Sequence, residues 1–458
     1  MTTRGQSDAD EASPEPRDSG EAAKYSPREV LSKGANEQKE SPGQNDKLME
    51  RVADPANLNA AWKRVRENGG APGIDGITVD AFIEHAKPRS ESLRKELLEG
   101  SYRPSPLWRV TIPKASGGER LLGIPTVQDR VVQQAFLQVL QPILDPTFSE
   151  RSYGFRPNRS AHQAVATAQA YIQQGYDWVV DFDLEAFFDR VNHDRLMSRL
   201  GQRIADRRAC WIIRRFLQAG FMENAVLNPT TEGTPQGGPL SPLLANLVLD
   251  ELDKEMERRG LRFVRYADDC NVHLRSERAA ANAFENLTRF IEGTLKLKVN
   301  RAKSAVGRPW ERKLLGFSFM PGKNAKRRIA PKALAKAKER IRELTKIGRA
   351  NFEAIMAELR RFLTGWLGYF RFCQTPSVLR ELEEWTRRRL RRLIWKQWKR
   401  GTTRFRELVK RGADPVEAAK LAGSSDGPWH NSRTPLLSQI LPKAWFAAYG
   451  LPQFHAPS

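Results

Sequence analysis

Apolar positions along this chain recur first at helical spacing, then at alternating spacing, then at helical spacing again, an order that predicts an α+β protein. Residues 1 to about 45 show neither period; they are rich in Ser, Pro, Gly, Glu and Gln and are expected to form a disordered leader. Helix-like patterns begin at Leu48, and Asn68 to Gly76 is a turn cluster that must be loop. Trp108 to Pro125 reads as strand, Ser-Gly-Gly turn and strand, followed by an apolar helical stripe at 131, 132, 135, 136, 139 and 140. In Asp177 to Leu184 the side chains alternate, so Val180, Phe182 and Leu184 share one face and Asp181 and Asp183 the other. Glu185 to Leu200 returns to helical spacing. Thr234 to Pro242 reads as a loop feeding a helix, with Ser241 as N-cap, Pro242 at the first helical position and Leu243 to Leu252 apolar. Two short runs rich in β-branched and aromatic residues then flank Tyr266-Ala-Asp-Asp269, which predicts a hairpin with an acidic tip. A helix over about 277 to 296, a strand over Leu314 to Phe319 and a helical segment from Lys323 to Arg400 complete the pattern. The tail from 401 to 458, broken at Gly423 to Pro428, has no readable role.

Charge changes the picture. The chain carries 76 Lys and Arg against 54 Asp and Glu, a net +22. Residues 1 to 50 hold 7 basic and 11 acidic residues, so the remainder is more basic than the total implies. Residues 323 to 400 alone hold 23 Lys and Arg, 7 Glu and no Asp. Such clustering points to a polyanionic partner, nucleic acid being the usual one. Four rings lie within Gly365 to Phe372, and Trp395 and Trp398 stand among the eight basic residues of Arg387 to Arg400. Cations beside rings suit a nucleic-acid surface, although most of these rings are expected to be helical core. Three scattered cysteines offer neither a disulfide framework nor a zinc module. With no secretory signal and no membrane-spanning run, a soluble protein of a reducing, cytoplasmic setting is expected.

The acidic positions carry the chemistry. Asp268 and Asp269 repel one another unless a compact cation such as Mg²⁺ accepts their oxygens. An isolated tetrapeptide of this kind is more readily read as a solvated acidic turn. The acidic strand at 181 to 183 changes that, because it and the hairpin fit side by side in one antiparallel sheet and together supply ligands for a two-metal phosphoryl-transfer site. Spacing alone does not decide between Asp181 and Asp183. Lys114 and Arg120 flank a Gly-rich tip, suited to a triphosphate or simply to solvent.

These blocks resemble, in unbroken order over about residues 55 to 400, the reverse transcriptase and maturase proteins encoded by bacterial group II introns. The resemblance rests on Pro72-Gly-Ile-Asp-Gly-Ile-Thr78, Tyr102-Arg-Pro, Ile112-Pro-Lys, Arg120-Leu-Leu-Gly-Ile-Pro-Thr126 and Asp129-Arg130. It continues through Ser152 to Ser160, Asp183-Leu-Glu-Ala-Phe-Phe-Asp189, Thr234-Pro-Gln-Gly-Gly238, Arg265-Tyr-Ala-Asp-Asp269, Asn300-Arg-Ala-Lys303 and Leu315-Gly-Phe317. It implies that Asp183, Asp268 and Asp269 are catalytic and bind two Mg²⁺ ions, leaving Asp181 as a structural neighbour. Lys114 and Arg120 then meet the incoming triphosphate, Phe188 excludes a ribose 2′-hydroxyl, Gln236 and Gly237 line the nucleotide and template pocket, and Lys303 protonates pyrophosphate. Arg387, Arg388, Arg391, Arg392 and Lys396 are the candidate RNA contacts.

The implied fold is a right-hand polymerase. Its parts are a leader at 1–45, an N-terminal extension and fingers at 46–176, a palm with an antiparallel sheet at 177–322, a helical thumb and maturase domain at 323–400, and a basic, DNA-binding-like tail at 401–458. The implied function is RNA-directed DNA polymerisation together with binding and splicing of intron RNA in support of intron mobility. Partners are then intron RNA, an RNA template with its DNA primer, dNTPs and target DNA, in a ribonucleoprotein associated with the bacterial nucleoid. Glu185 and Ala186 stand where Lys and Gly are commoner, and Cys270 and Asn271 replace the usual apolar residues. No endonuclease module is recognisable after the thumb, and the C-terminal sequence resembles members without one. A free-standing relative in defence or repair, and a splicing-only RNA-binding protein, are the alternatives.

Overall fold

The computed structural model describes residues 47–86, 89–113, 119–223, 226–234, 237–346 and 351–454, so the leader expected at 1–45 lies outside the described residues. The strands are, in chain order, β1 Leu107–Pro113, β2 Glu119–Ile124, β3 Trp178–Phe182, β4 Phe221–Glu223, β5 Val226–Asn228, β6 Arg262–Tyr266, β7 Asp269–Leu274, β8 Ala305–Gly307, β9 Phe317–Phe319 and β10 Arg327–Ile329. They form sheets ordered β2-β1-β4-β5, β6-β7-β3-β8 and β10-β9. The chain divides into two compact units, each discontinuous in sequence. The first takes residues up to Pro157, Leu184–Arg258 and Thr288–Asn300; the second takes Asn158–Asp183, Arg259–Leu287 and the chain from Arg301 onward.

In the first unit the expected hairpin forms as β1 and β2, with Ile112 opposite Arg120 and Trp108 opposite Ile124. The helix expected from Val127 runs to Leu144, started by Thr126, whose hydroxyl accepts from the Asp129 amide. Its stripe of Val131, Val132, Ala135, Phe136, Val139 and Leu140 is buried, each larger side chain contributing about 1.5–3 kcal/mol by leaving water. Two of the motifs meet here. Buried Asp129 accepts from the Tyr102 hydroxyl at 2.8 Å, the Thr126 hydroxyl at 2.7 Å and the Ser105 amide at 3.1 Å. Burial pushes its pKa up to about 6 even though these three donors favour the carboxylate. The neighbouring Arg130 donates to the carbonyls of Gly69 and Ala71, fastening the glycine-rich loop.

The helix expected over Glu185 to Leu200 does not form as one element. A 3-10 turn spans Phe187–Asp189 and the α-helix spans His193–Gly201, capped by Asn192. Asn192 is extended and caps the helix that follows it, and Ala186, with a φ of +49°, is left-handed, which no α-helix accommodates. That also explains why glycine suits the position better. The helix expected from Pro242 begins one residue earlier, at Ser241, which is its first helical residue rather than its cap, and continues to Arg258.

In the second unit the hairpin of β6 and β7 pairs Tyr266 with Asp269 across a two-residue connection. β3 lies antiparallel to β7, with Val180 opposite Val272, Asp181 opposite Asn271 and Phe182 opposite Cys270. The helix Ala161–Gln173, opened by a Ser160 and Gln163 capping box, packs Ala164, Val165, Ala168 and Ile172 onto this sheet. The strand expected at Leu314 to Phe319 shortens to β9, because Leu315 and Gly316 adopt φ of +51° and +79°. A Cβ on Gly316 would stand 3.0 Å from the Phe370 ring, and the Tyr369 hydroxyl donates to the Leu315 carbonyl, which accounts for the Leu-Gly-Phe motif.

The segment from Lys323 is not wholly helical, since β10 pairs with β9 before the helices Pro331–Leu344, Phe352–Phe370 and Pro376–Gln397 begin. Trp395, Phe370 and Trp398 are buried, as expected for core rings. The tail forms the helices Gly401–Lys410, Pro415–Ala422, Pro428–Asn431, Pro435–Ile440 and Lys443–Ala448, three of them started by proline, and buries Phe446 and Phe454. Among the described residues no helix is long and apolar enough to cross a membrane.

His273 of β7 is buried, and burial lowers its pKa to about 4. An unfolded histidine titrates near 6.5, so acid protonates the unfolded chain first. The fold therefore loses stability as pH falls from about 6.5 towards 4, by up to about 3 kcal/mol. Thermal unfolding followed from pH 7.5 to 4.5 should show a smaller acid loss for His273→Phe than for wild type.

Candidate active site

The site is built on the ends of β3 and β7. Phe182 faces Cys270, so the next residue on each strand, Asp183 and Asp269, stands at the same end of the pair. Alternation then puts Asp181, Asp183, Asp269 and Asn271 on one face of the sheet, with Phe182, Val180, Cys270 and Val272 packed on the other. Asp268 is the second residue of the connection and Ala267, with φ of +55°, the first. The backbone of Asp183 is fixed from the far side, its amide donating to the Ser304 hydroxyl at 2.9 Å.

The electrostatics of this face are those of crowded acids. Asp269 is raised to about 6 by burial and then by the charges of Asp268, Asp181 and Asp183, with Lys313 pulling the other way. The residue is open to solvent, so water tempers the burial contribution while the facing carboxylates persist. Asp181 is raised too, by burial first, against the Asn271 hydrogen bond and the charges of Arg312 and Lys313. The Asn271 amide donates to the Asp181 carboxylate at 2.9 Å.

The donors are all hard carboxylate oxygens, the set that Mg²⁺ and Mn²⁺ select. Among the described residues no three His, Cys, Asp or Glu side chains are gathered into a ready-made cage. An open set of this kind fits Mg²⁺, which keeps several waters and takes one or two carboxylates plus substrate phosphates.

The nucleotide-binding candidates belong to the first unit. Arg120 lies in β2, while Lys114 and Gln236 fall outside the described residues. Half-buried Phe188 sits in the 3-10 turn, whose carbonyl accepts the Thr234 amide. Gly237 has a φ of +126°, and a Cβ there would stand 2.7 Å from the Gly123 carbonyl; at Gly238 it would meet Gln133 at 2.2 Å. Gly237 is thus demanded by its left-handed backbone and by close backbone approach, while Gly238 leaves room for the Gln133 side chain. A cavity of about 230 Å³ opens beside them, bounded by Arg109, Gly123, Phe188, Asp189, Gly233 and Thr234. Lys303 is exposed in the turn before β8.

The candidate RNA contacts divide. Arg387 lies 3.2 Å from Glu383, Arg388 stacks 3.9 Å from the Trp429 ring, and Arg391 donates to the Leu441 carbonyl. Burial, then the Arg387 charge, lowers Arg391 to about 10. These three bind the tail to the helix Pro376–Gln397 or brace the helix itself, whereas Lys396 is exposed and Arg392 half-exposed.

Residues 112–319 match the family model described as reverse transcriptase (RNA-dependent DNA polymerase), and residues 334–412 match the group II intron, maturase-specific domain. Protein YkfC of Escherichia coli (strain K12) is 32% identical over 300 residues, which take in 57% of this chain and 79% of YkfC. The chain belongs to the group II intron reverse transcriptase family. The group II intron-encoded protein LtrA of Lactococcus lactis subsp. cremoris is 36% identical over 222 residues, covering 48% of this reverse transcriptase and 36% of LtrA. The putative COX1/OXI3 intron 2 protein of Saccharomyces cerevisiae is 32% identical over 219 residues, or 47% of this chain and 25% of that one. The reverse transcriptase therefore spans about a third or less of the length of these two intron proteins. Its fold is the expected α+β polymerase with an antiparallel palm sheet and a helical region after it. The family is divalent-metal dependent and acts on nucleic acid.

Sequence reasoning passed over Asn271 and Arg265. A polar residue two positions after Asp269, and so on the same face of the strand, was the available signal for Asn271. Replacing it with the commoner apolar type strands the Asp181 carboxylate. Asn271→Leu should cost about 1–3 kcal/mol in denaturant unfolding, and the Asp181→Ala/Asn271→Leu pair should cost clearly less than the sum of the single changes.

Proposed function

We propose that this chain is an Mg²⁺-dependent RNA-directed DNA polymerase that extends a DNA primer on an RNA template and also binds group II intron RNA as a maturase. The observation that carries this reading is the placement of Asp183 and the Tyr266–Asp269 hairpin at one end of an antiparallel pair, within the reverse transcriptase match. Asp183 and Asp268 hold the two ions, with Asp269 completing the acidic face. The bound metal supplies activation of the primer 3′-hydroxyl and stabilisation of the leaving pyrophosphate. Asp183 orients its carboxylate through a backbone tied to Ser304, and Asp268 presents its own from the hairpin tip. Burial and the facing carboxylates raise the pKa of Asp269, so a cation bound on this face would favour its charged form.

In the first unit, Lys114 and Arg120 meet the triphosphate, Phe188 selects against a 2′-hydroxyl, and Gln236 and Gly237 border the base pair being formed. Lys303 is the candidate proton donor to pyrophosphate. The basic helical segment binds RNA mainly through phosphate contacts, for which Lys396 and Arg392 are the accessible members of the candidate group. The splicing and mobility roles follow from the maturase-specific match and from what the names of LtrA and the yeast protein say of those proteins.

Primer extension on an RNA template tests the reading. Asp268→Asn should lower extension by about 10³-fold, the weight of several kcal/mol of transition-state stabilisation, with RNA affinity within about twofold of wild type. Undiminished extension by that variant contradicts the assignment. Wild-type protein that binds intron RNA tightly and extends nothing favours the splicing-only reading.

A further inference from the structure

Arg265 is among the largest side chains without solvent exposure in the molecule. It stands opposite Cys270 in the β6 and β7 hairpin, so it belongs to the packed face of the sheet, away from Asp183, Asp269 and Asn271. Sequestering a guanidinium costs several kcal/mol unless its donors are met, so a fold that keeps one there uses it. Its Nη1 donates to the carbonyl of Ala267 at 2.9 Å.

Ala267 is the residue that makes the connection possible. Only two residues join Tyr266 to Asp269, and Ala267 takes a φ of +55°, a conformation that strains a residue with a Cβ. Glycine would adopt it freely and alanine needs support. The support comes from within the same hairpin, because the side chain two positions before Ala267 reaches its carbonyl from the packed side. Asp268 follows directly, so the direction of its carboxylate is set by the peptide that Arg265 grips.

We propose that Arg265 is a positioning residue for catalysis: by clamping the Ala267 carbonyl from the packed face, it fixes the left-handed connection and thereby aims Asp268 at the divalent cation. This rests on the reading of Asp268 as a metal ligand. The clamp opposes a specific tendency. The carboxylates of Asp268, Asp269, Asp181 and Asp183 repel one another, and an unclamped connection relaxes by swinging Asp268 outward, which spaces the charges and spoils the ligand set. A carbonyl held by a buried cation resists that relaxation more than one held by a neutral donor.

The test compares wild type, Arg265→Met, Arg265→Lys and Asp268→Asn. Binding of Mn²⁺ alone is read from the loss of the free-ion electron paramagnetic resonance signal, alongside the Mg²⁺ dependence of primer extension and the thermal midpoint. Arg265→Met should weaken Mn²⁺ binding by about 10–100-fold, as the loss of a supporting partner behind a ligand does, and raise the half-saturating Mg²⁺ similarly. At saturating Mg²⁺ its KM for dNTP should return to near the wild-type value. Arg265→Lys should fall between, because an ammonium makes a point contact where the guanidinium makes a fork. Folded Arg265 variants with unchanged Mn²⁺ affinity and a lower thermal midpoint would show a core-filling role and overturn the proposal. Should Arg265→Met fail to fold, Arg265→Lys decides by the same criterion. If Asp268→Asn leaves both Mn²⁺ binding and extension intact, the metal-ligand reading itself fails; if Asp268→Asn loses both while the Arg265 variants keep both, only the clamp fails.

Discussion

Mutual repulsion among carboxylates at one end of the palm sheet is the constraint to which the second unit answers. Left to themselves, Asp183, Asp268 and Asp269 would separate, and a backbone without strong local preferences would let them. The ladder between β3 and β7 prevents this by fixing register, since a slip of one residue would turn every acid into the packed face and every apolar residue out. The surrounding polar groups act on the same tension: Asn271 holds Asp181, Ser304 holds the Asp183 amide and Lys313 offers counter-charge. What the protein leaves unneutralised is the negative charge of this face, the feature on which the proposed cation site rests.

Several of the sequence motifs serve the fold. Tyr102 and Asp129 form one buried knot, and Arg130 ties the glycine-rich loop to it. Gly237 is required by the approach of the Gly123 carbonyl, and Gly238 leaves room for Gln133. Basic residues divide in the same way. Arg387, Arg388 and Arg391 spend their donors or their faces inside the helical region, whereas Arg392 and Lys396 stay accessible.

The hairpin bearing Asp268 and Asp269 was legible because its flanks alternate and its tip is a turn sequence, and the strand bearing Asp183 was legible for the same reason. The long helices announced themselves by their stripes. Three features did not. The break in the segment after Asp183 involves a left-handed alanine at 186 and an extended cap at Asn192, and propensity gives no notice of the first. β10 is a basic three-residue strand whose only warrant is its partner β9. The tail folds by docking Phe446 and Phe454, a tertiary effect that its composition does not disclose. At the site, Asn271 looked like a departure from the family pattern, and its meaning emerged only from the register that sets it opposite Asp181. Lys114 and Gln236 fall outside the described residues, and their roles rest on the resemblance alone.

The central claim is that Asp183 and the Asp268–Asp269 hairpin together form the metal site of a polymerase. The most direct measurement is anomalous diffraction from crystals of the protein with Mn²⁺, a primer on an RNA template and a non-hydrolysable dNTP. Anomalous peaks should lie within about 2.0–2.3 Å of Asp183 and Asp268 oxygens and bridge to the triphosphate. Density for the nucleotide with no peak at these carboxylates, or with the ions held by other residues, would contradict it.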